Sequence, residues 1–189
     1  MYSRTLHLFR DALKEKTVSV DLAVCTKANG LLVRRRAHTF FKVISLLGDG
    51  VIWYVIMLVL PFAFGKEGLW VSVLMVSAGL LNLTIYRAIK SSTVRRRPFV
   101  AHRHIAQGAP VLDEYSFPSG HTLHAVTYGI VLSALYPPLT VLWMTFALLT
   151  AVARVILGLH YPSDVLMGAA LGAVHGLMLV NVLALFVAI

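Results

Sequence analysis

The chain has 189 residues, 58% hydrophobic and only 13% charged, with a net charge of +9. A soluble domain of this size needs a more polar shell, so the composition points to a membrane protein. Cys25 is the sole cysteine, which excludes an internal disulfide and leaves it a structural role. The basic residues flank apolar stretches and lack interleaved aromatics, which argues against nucleic acid and for anionic membrane lipids as partners.

Residues 1–37 are polar and basic, with Leu6, Phe9 and Leu13 at helical spacing. They carry no compact apolar run ahead of a small-residue cleavage site, so a secretory signal is not expected. The arm reads either as an amphipathic helix on the membrane surface or as a solvated segment. Residues 39–47 are apolar but too few to cross a bilayer, and they end at Gly48-Asp49-Gly50. A first span follows over 51–64, with Pro61 as a kink or helix end, and residues 65–68 form a short polar turn. A second span, 69–89, ends at Lys90.

Residues 91–117 form a basic loop containing proline and histidine, and its length points to an active-site role. A third span covers 120–136, Pro137-Pro138 makes a sharp turn, and spans four and five cover 139–159 and 165–189. The expected fold class is therefore an all-α integral membrane protein. It is expected to form one domain over 1–189, a helical bundle of about five, or six, transmembrane helices with an N-terminal interfacial helix. Gly168, Gly172 and Gly176 recur every four residues, a pattern that lets helices approach closely in lipid. That stripe starts one turn after Asp164 and turns the carboxylate into the bundle.

Three polar clusters interrupt this apolar chain: Lys90-x6-Arg97-Pro98, Pro118-Ser119-Gly120-His121, and Arg154-x5-His160-x3-Asp164. Ionisable groups at membrane depth are costly and mark function. If the spans alternate in direction, all three clusters fall on one face. Lys90, Arg97 and Arg154 supply donors that match phosphate oxygens. Ser119 is placed to cap the third span, where Gly120 lets a ligand approach free N–H groups at the positive end of a helix dipole. His121 lies in that first turn, within reach of a leaving group. His160 and Asp164, four apart across a helix start at Pro162, can pair as an oriented imidazole. Two histidines with different partners suit a nucleophile and a proton donor.

Other ionisable residues have plainer readings. Arg87, Arg95 and Arg96 read as anchors that snorkel to the interface. His102 and His104 read as solvated loop residues, His124 as lining the site or packed beside it, and His175 as a hydrogen-bonded interior residue. No thiol or carboxylate completes a zinc set among these histidines, so no metal is expected.

Taken jointly, the three clusters resemble the signature of the type 2 phosphatidic acid phosphatase superfamily, which comprises lipid phosphate phosphatases and related vanadium haloperoxidases. Every spacing matches; the serine usual before the third cluster's arginine is Ala153 here. The resemblance implies metal- and cofactor-independent hydrolysis of a lipid phosphate through a phosphohistidine. His160 would attack, Asp164 would orient it, and His121 would protonate the departing alkoxide and then activate water. Lys90, Arg97, Ser119, Gly120 and Arg154 would hold the phosphoryl oxygens. Family members commonly have six spans.

Setting aside Lys90, Arg97 and Arg154, thirteen basic residues fall on the site face and only Lys66 on the other. The positive-inside rule then places the site on the cytoplasmic side of a bacterial inner membrane. That favours phosphatidylglycerol phosphate, phosphatidate or a polyprenyl-linked phosphate as substrate. The alternatives are a lipid phosphotransferase using the same residues, or an undecaprenyl diphosphate phosphatase.

Overall fold

Runs of Leu, Val, Ile and Ala, broken by glycine and proline at a few positions, set the helices and their ends. The computed structural model describes the backbone of residues 2–186 and the side chains of residues 15–184. Its α-helices are α1 (Tyr2–Asn29), α2 (Arg35–Leu46), α3 (Ile52–Thr93), α4 (Pro98–Ala101), α5 (Gly120–Leu135), α6 (Thr140–Ile156) and α7 (Pro162–Phe186).

α3 is two antiparallel arms. Gly65, at φ 58° and ψ −132°, reverses the chain between 52–64 and 66–93. The arms touch tightly: a Cβ on Gly68 would lie 2.0 Å from the Leu60 carbonyl oxygen, and Ser72 Oγ donates to the Met57 carbonyl at 2.7 Å. The reversal falls in the expected polar turn, because only glycine adopts that backbone without strain. A second break, with Gly50 at φ 127°, separates α2 from α3.

Among the described residues, three helical stretches are long and apolar enough to cross a membrane: Arg35–Thr93, which contains both arms, Pro137–Ile156 and Pro162–Ala184. Leu58, Phe62, Trp70, Val141 and Leu166 are exposed on their outer surfaces, as lipid-facing residues must be. The chain is an all-α integral membrane protein. α5, with 16 residues, spans about 24 Å at 1.5 Å per residue and is the innermost helix. It packs against α7, α6 and α3.

The glycine stripe of α7 makes this possible. A Cβ at Gly168 or Gly172 would fall 2.5 Å from the carbonyl oxygen of Ser119 or Leu123, respectively. Between α7 and α3, His175 Nδ1 meets Asn82 Oδ1 at 2.6 Å. Asn82 donates to Thr127 Oγ1 at 3.2 Å, and Thr127 donates to the Gly172 carbonyl at 3.2 Å. His175 is thus the hydrogen-bonded interior residue its position suggested.

The N-terminal segment is helical, and the alternative reading of it as a solvated segment does not hold. α1 is docked on the loops of the bundle, burying Asp21, Cys25 and Asn29, which recur every four residues on one face. Asn29 Nδ2 donates to the carbonyls of Ala106 and Ile156 at 2.9 and 3.0 Å, and its Oδ1 accepts the Ala106 N–H at 2.8 Å. The side chains of Leu6, Phe9 and Leu13 lie outside the described residues, as do residues 187–189 of the fifth span.

Candidate active site

Local turn chemistry builds each cluster. The second arm of α3 ends on Val94 in the left-handed region, four residues before α4 begins at Pro98. Arg97 is extended, as a residue preceding proline prefers, and Pro98 opens α4. Ser119 caps α5, its Oγ accepting the Thr122 N–H at 3.4 Å. The first N–H groups of α5 have no intrahelical partner.

The five residues between Arg154 and His160 close a compact turn, in which the Arg154 carbonyl accepts the N–H groups of both Leu159 and His160 at 3.1 Å. Gly158, at φ 71°, makes that turn possible, and a Cβ there would lie 2.6 Å from the Ala106 carbonyl oxygen. The second cluster is stitched to the third where Ser119 N–H donates to the Asp164 carbonyl at 3.0 Å.

The clusters meet. Arg97 Nη1 lies 3.2 Å from His160 Nε2 and donates to the Leu159 carbonyl at 2.8 Å. Arginine can only donate, so Nε2 presents its lone pair and the ring proton belongs on Nδ1. Nδ1 faces Asp164 Oδ2 at 3.6 Å, longer than a hydrogen bond, and has no other partner. His160 is 1% exposed. Burial, then the charges of Arg97, Arg154 and Lys90, hold its pKa well below the ordinary histidine value, so the ring is neutral near pH 7.

Arg154, also 1% exposed, donates through Nη1 to Ser45 Oγ at 2.6 Å, while its Nε and Nη2 have no partner among the described residues. His121 Nε2 is in short contact with Asp49 Oδ1, which also lies 3.6 Å from Arg154 Nη1. Lys90 Nζ donates to both Asp113 carboxylate oxygens, at 2.7 and 2.8 Å, and to the Tyr115 carbonyl at 2.9 Å. Arg97 Nη2 donates to Asp113 Oδ1 at 2.6 Å. Burial alone would raise the Asp113 pKa, but hydrogen bonds and charge from Lys90 and Arg97 lower it below the usual carboxylate value.

Four partners were not foreseen: Asp49, Asp113, Asp21 and Arg95. Arg95 is not a snorkelling anchor. Its Nη1 pairs with Asp164 Oδ1 at 2.5 Å and its Nη2 with Asp21 Oδ2 at 2.7 Å. The scarcity of acids was the available signal, since only eight Asp and Glu serve a chain with 17 Lys and Arg. His104 is exposed in the loop as expected, with its Nε2 at 3.1 Å from Thr26 Oγ1, while half-buried His102 packs edge-on against Tyr161. His124 lines the cleft and is also tied, through Nδ1, to the Gly120 carbonyl at 2.8 Å. Ala153 is fully buried beside Ala109, Leu157 and Leu159, away from these polar groups.

A cleft of about 790 Å³ opens beside this cluster between the arms of α3 and α5. Asp49, Lys90, Asp113 and His121 line its polar end, and Met57, Val76, Leu80 and Leu83 its apolar walls. His160 and Arg154 lie behind the polar end, outside the lining.

The chain is similar to several known proteins. Over 69 residues the chain is 38% identical to a lipid A 1-phosphatase of Rhizobium johnstonii, a match spanning 36% of this chain and 28% of that enzyme. Over 131 residues it is 30% identical to the undecaprenyl-diphosphatase BcrC of Bacillus subtilis, spanning 68% and 66% of the two chains. The chain therefore matches less than two thirds of the length of either curated relative. A transmembrane PAP2 type phosphatidylglycerolphosphate phosphatase from Bacillus subtilis superposes with a TM-score of 0.73 at 25% identity, covering 95% of this chain and 94% of its own. The PAP2 superfamily model matches residues 67–187, more than half of the chain and all three polar clusters, and the chain belongs to that superfamily.

Proposed function

We propose that the protein is a membrane lipid phosphate phosphatase that works without a metal, through a phosphohistidine at His160. The observation that carries this reading is Arg154. A guanidinium 1% exposed, with Nε and Nη2 unpartnered, is costly until an anion completes it. Beside it stands a neutral imidazole with its lone pair on Nε2. An anion-binding group next to a nucleophile suits phosphoryl transfer, where most of the catalysis is positioning and charge stabilisation.

In this reading His160 Nε2 attacks phosphorus as the lipid P–O bond breaks, and the departing alkoxide takes a proton from His121. Arg97 leaves Nε2 for a phosphoryl oxygen, joined by Arg154, Lys90 and the N–H groups that follow Ser119. Water, giving its proton to His121, then attacks the phosphohistidine, breaks the P–N bond and releases phosphate. Asp164, behind Nδ1, stabilises the positive charge that develops on the ring.

The cleft, polar at one end and apolar along its walls, supports a substrate with a phosphate head and acyl or prenyl chains. Phosphatidylglycerol phosphate, phosphatidate and a polyprenyl-linked phosphate fit that description. The charge imbalance supports a cytoplasmic site in a bacterial inner membrane. The reading is tested by phosphate release from purified protein in detergent with EDTA, across those lipids, lipid A 1-phosphate and undecaprenyl diphosphate. Release from at least one lipid is expected, lost in His160→Ala; complete loss with EDTA in the wild type overturns the metal-free mechanism.

A further inference from the structure

Asp21 sits on α1, outside the residues matched by the family model, and is 2% exposed. A carboxylate buried so deeply must be fully hydrogen-bonded. Its Oδ1 accepts the Ser163 N–H at 2.9 Å, and its Oδ2 accepts Ser163 Oγ at 2.5 Å and Arg95 Nη2 at 2.7 Å. The other arm of the same guanidinium, Nη1, reaches Asp164 Oδ1 at 2.5 Å and Ser163 Oγ at 2.7 Å. Asp164 Oδ2 then faces His160 Nδ1 at 3.6 Å. A carboxylate, a guanidinium, a second carboxylate and the imidazole thus follow one another from α1 to the nucleophile.

Charge counting shows what this chain of groups does. Arg95 paired with Asp164 alone would cancel the charge behind His160. With Asp21 present the three groups sum to one negative charge, held where the imidazole becomes positive as Nε2 bonds phosphorus. The geometry also fixes direction: Arg95, gripped by Asp21, holds Asp164 Oδ1, while Asp164 Oδ2 accepts the Tyr161 N–H at 2.8 Å and faces the ring. We propose that Asp21 is a positioning residue for the phosphatase reaction, sharing Arg95 with Asp164 so that Asp164 keeps its orientation and its charge toward His160. This rests on the phosphatase reading above.

α1 has a second, independent attachment through Asn29, which holds Ala106 and Ile156 and touches neither Arg95 nor Asp164. That separates positioning from docking. The test measures kcat, KM and melting temperature for wild type, Asp21→Asn, Asp21→Glu and Asn29→Ala on whichever lipid phosphate is hydrolysed. In parallel, ¹⁵N-histidine spectra in micelles follow the His160 ring, assigned by its loss in His160→Asn. Asp21→Asn should lower kcat by about tenfold or more with KM little changed, as losses of outer carboxylates do. It should also shift the His160 ring resonances, while Asp21→Glu recovers most of both. Asn29→Ala should lower the melting temperature and leave kcat and the ring signals in place. The proposal is overturned if Asp21→Asn leaves kcat and the ring unchanged, or if Asn29→Ala perturbs both equally. Should the wild type release phosphate from no lipid, the phosphatase reading fails, and the ring signals alone decide whether Asp21 positions the imidazole.

Discussion

Asp113 and Asp49 stand on the groups expected to hold phosphate. An ammonium has three protons, and Lys90 directs its contacts to Asp113 and the Tyr115 carbonyl. Arg97 spends Nε on the Asp113 carbonyl and Nη2 on its carboxylate. Entry of a phosphate at Lys90 therefore requires Asp113 to yield, whereas Arg154 already has open donors. Replacing Asp113 by Asn leaves two buried cations short of a counter-charge, which should cost about 1–3 kcal/mol. Inorganic phosphate binding the folded form should restore that loss, because a ligand stabilises the state it binds. Melting in detergent should show a larger rise with phosphate for Asp113→Asn than for wild type. An equal rise in both would mean that Asp113 does not contend with phosphate.

At the scale of elements, the α5–α7 contact sets the distance between the second and third clusters. Gly168 touches the Ser119 carbonyl, and the Ser119 N–H bonds the Asp164 carbonyl, so backbone contact at this glycine registers both clusters. A methyl at Gly168 would press on rigid backbone, since its Cβ would stand 2.5 Å from an oxygen. At Gly176 the nearest atom is the Ile130 Cβ at 3.0 Å, a side chain with some room to move. Gly168→Ala should therefore cost about 1–3 kcal/mol and most of the activity. Gly176→Ala should be milder on both counts. Thermal melts and phosphate release on the two variants check the order, and a reversed order would remove the registering role from Gly168.

Across the whole molecule, the helices run so that the ends bearing Lys90, Ser119, Arg154 and Asp164 converge, with α1 laid over the same loops. Under the cytoplasmic assignment, a chain whose fifth span leaves that face ends on the other side. A reporter fused after Ile189 should accordingly read as external, and a cytoplasmic signal would reverse the sidedness.

Much of this was legible from the chain alone, and for local reasons. Apolar runs, Gly65 between them, Ser119 and Pro162 at helix starts, and the four-residue glycine spacing all act within one or two turns of their own position. They determined the helices, the close contact of α7 and the gathering of Lys90, Arg97, His121, Arg154, His160 and Asp164 at one end. Charge partners are a different matter, because the sequence position of a carboxylate carries no trace of the cation it will meet. Asp21 meets Arg95, Asp49 meets His121, and Asp113 meets Lys90, each pairing residues from separate elements. Only the tertiary structure decided those pairs, and with them which arginine is held by carboxylates and which still has open donors.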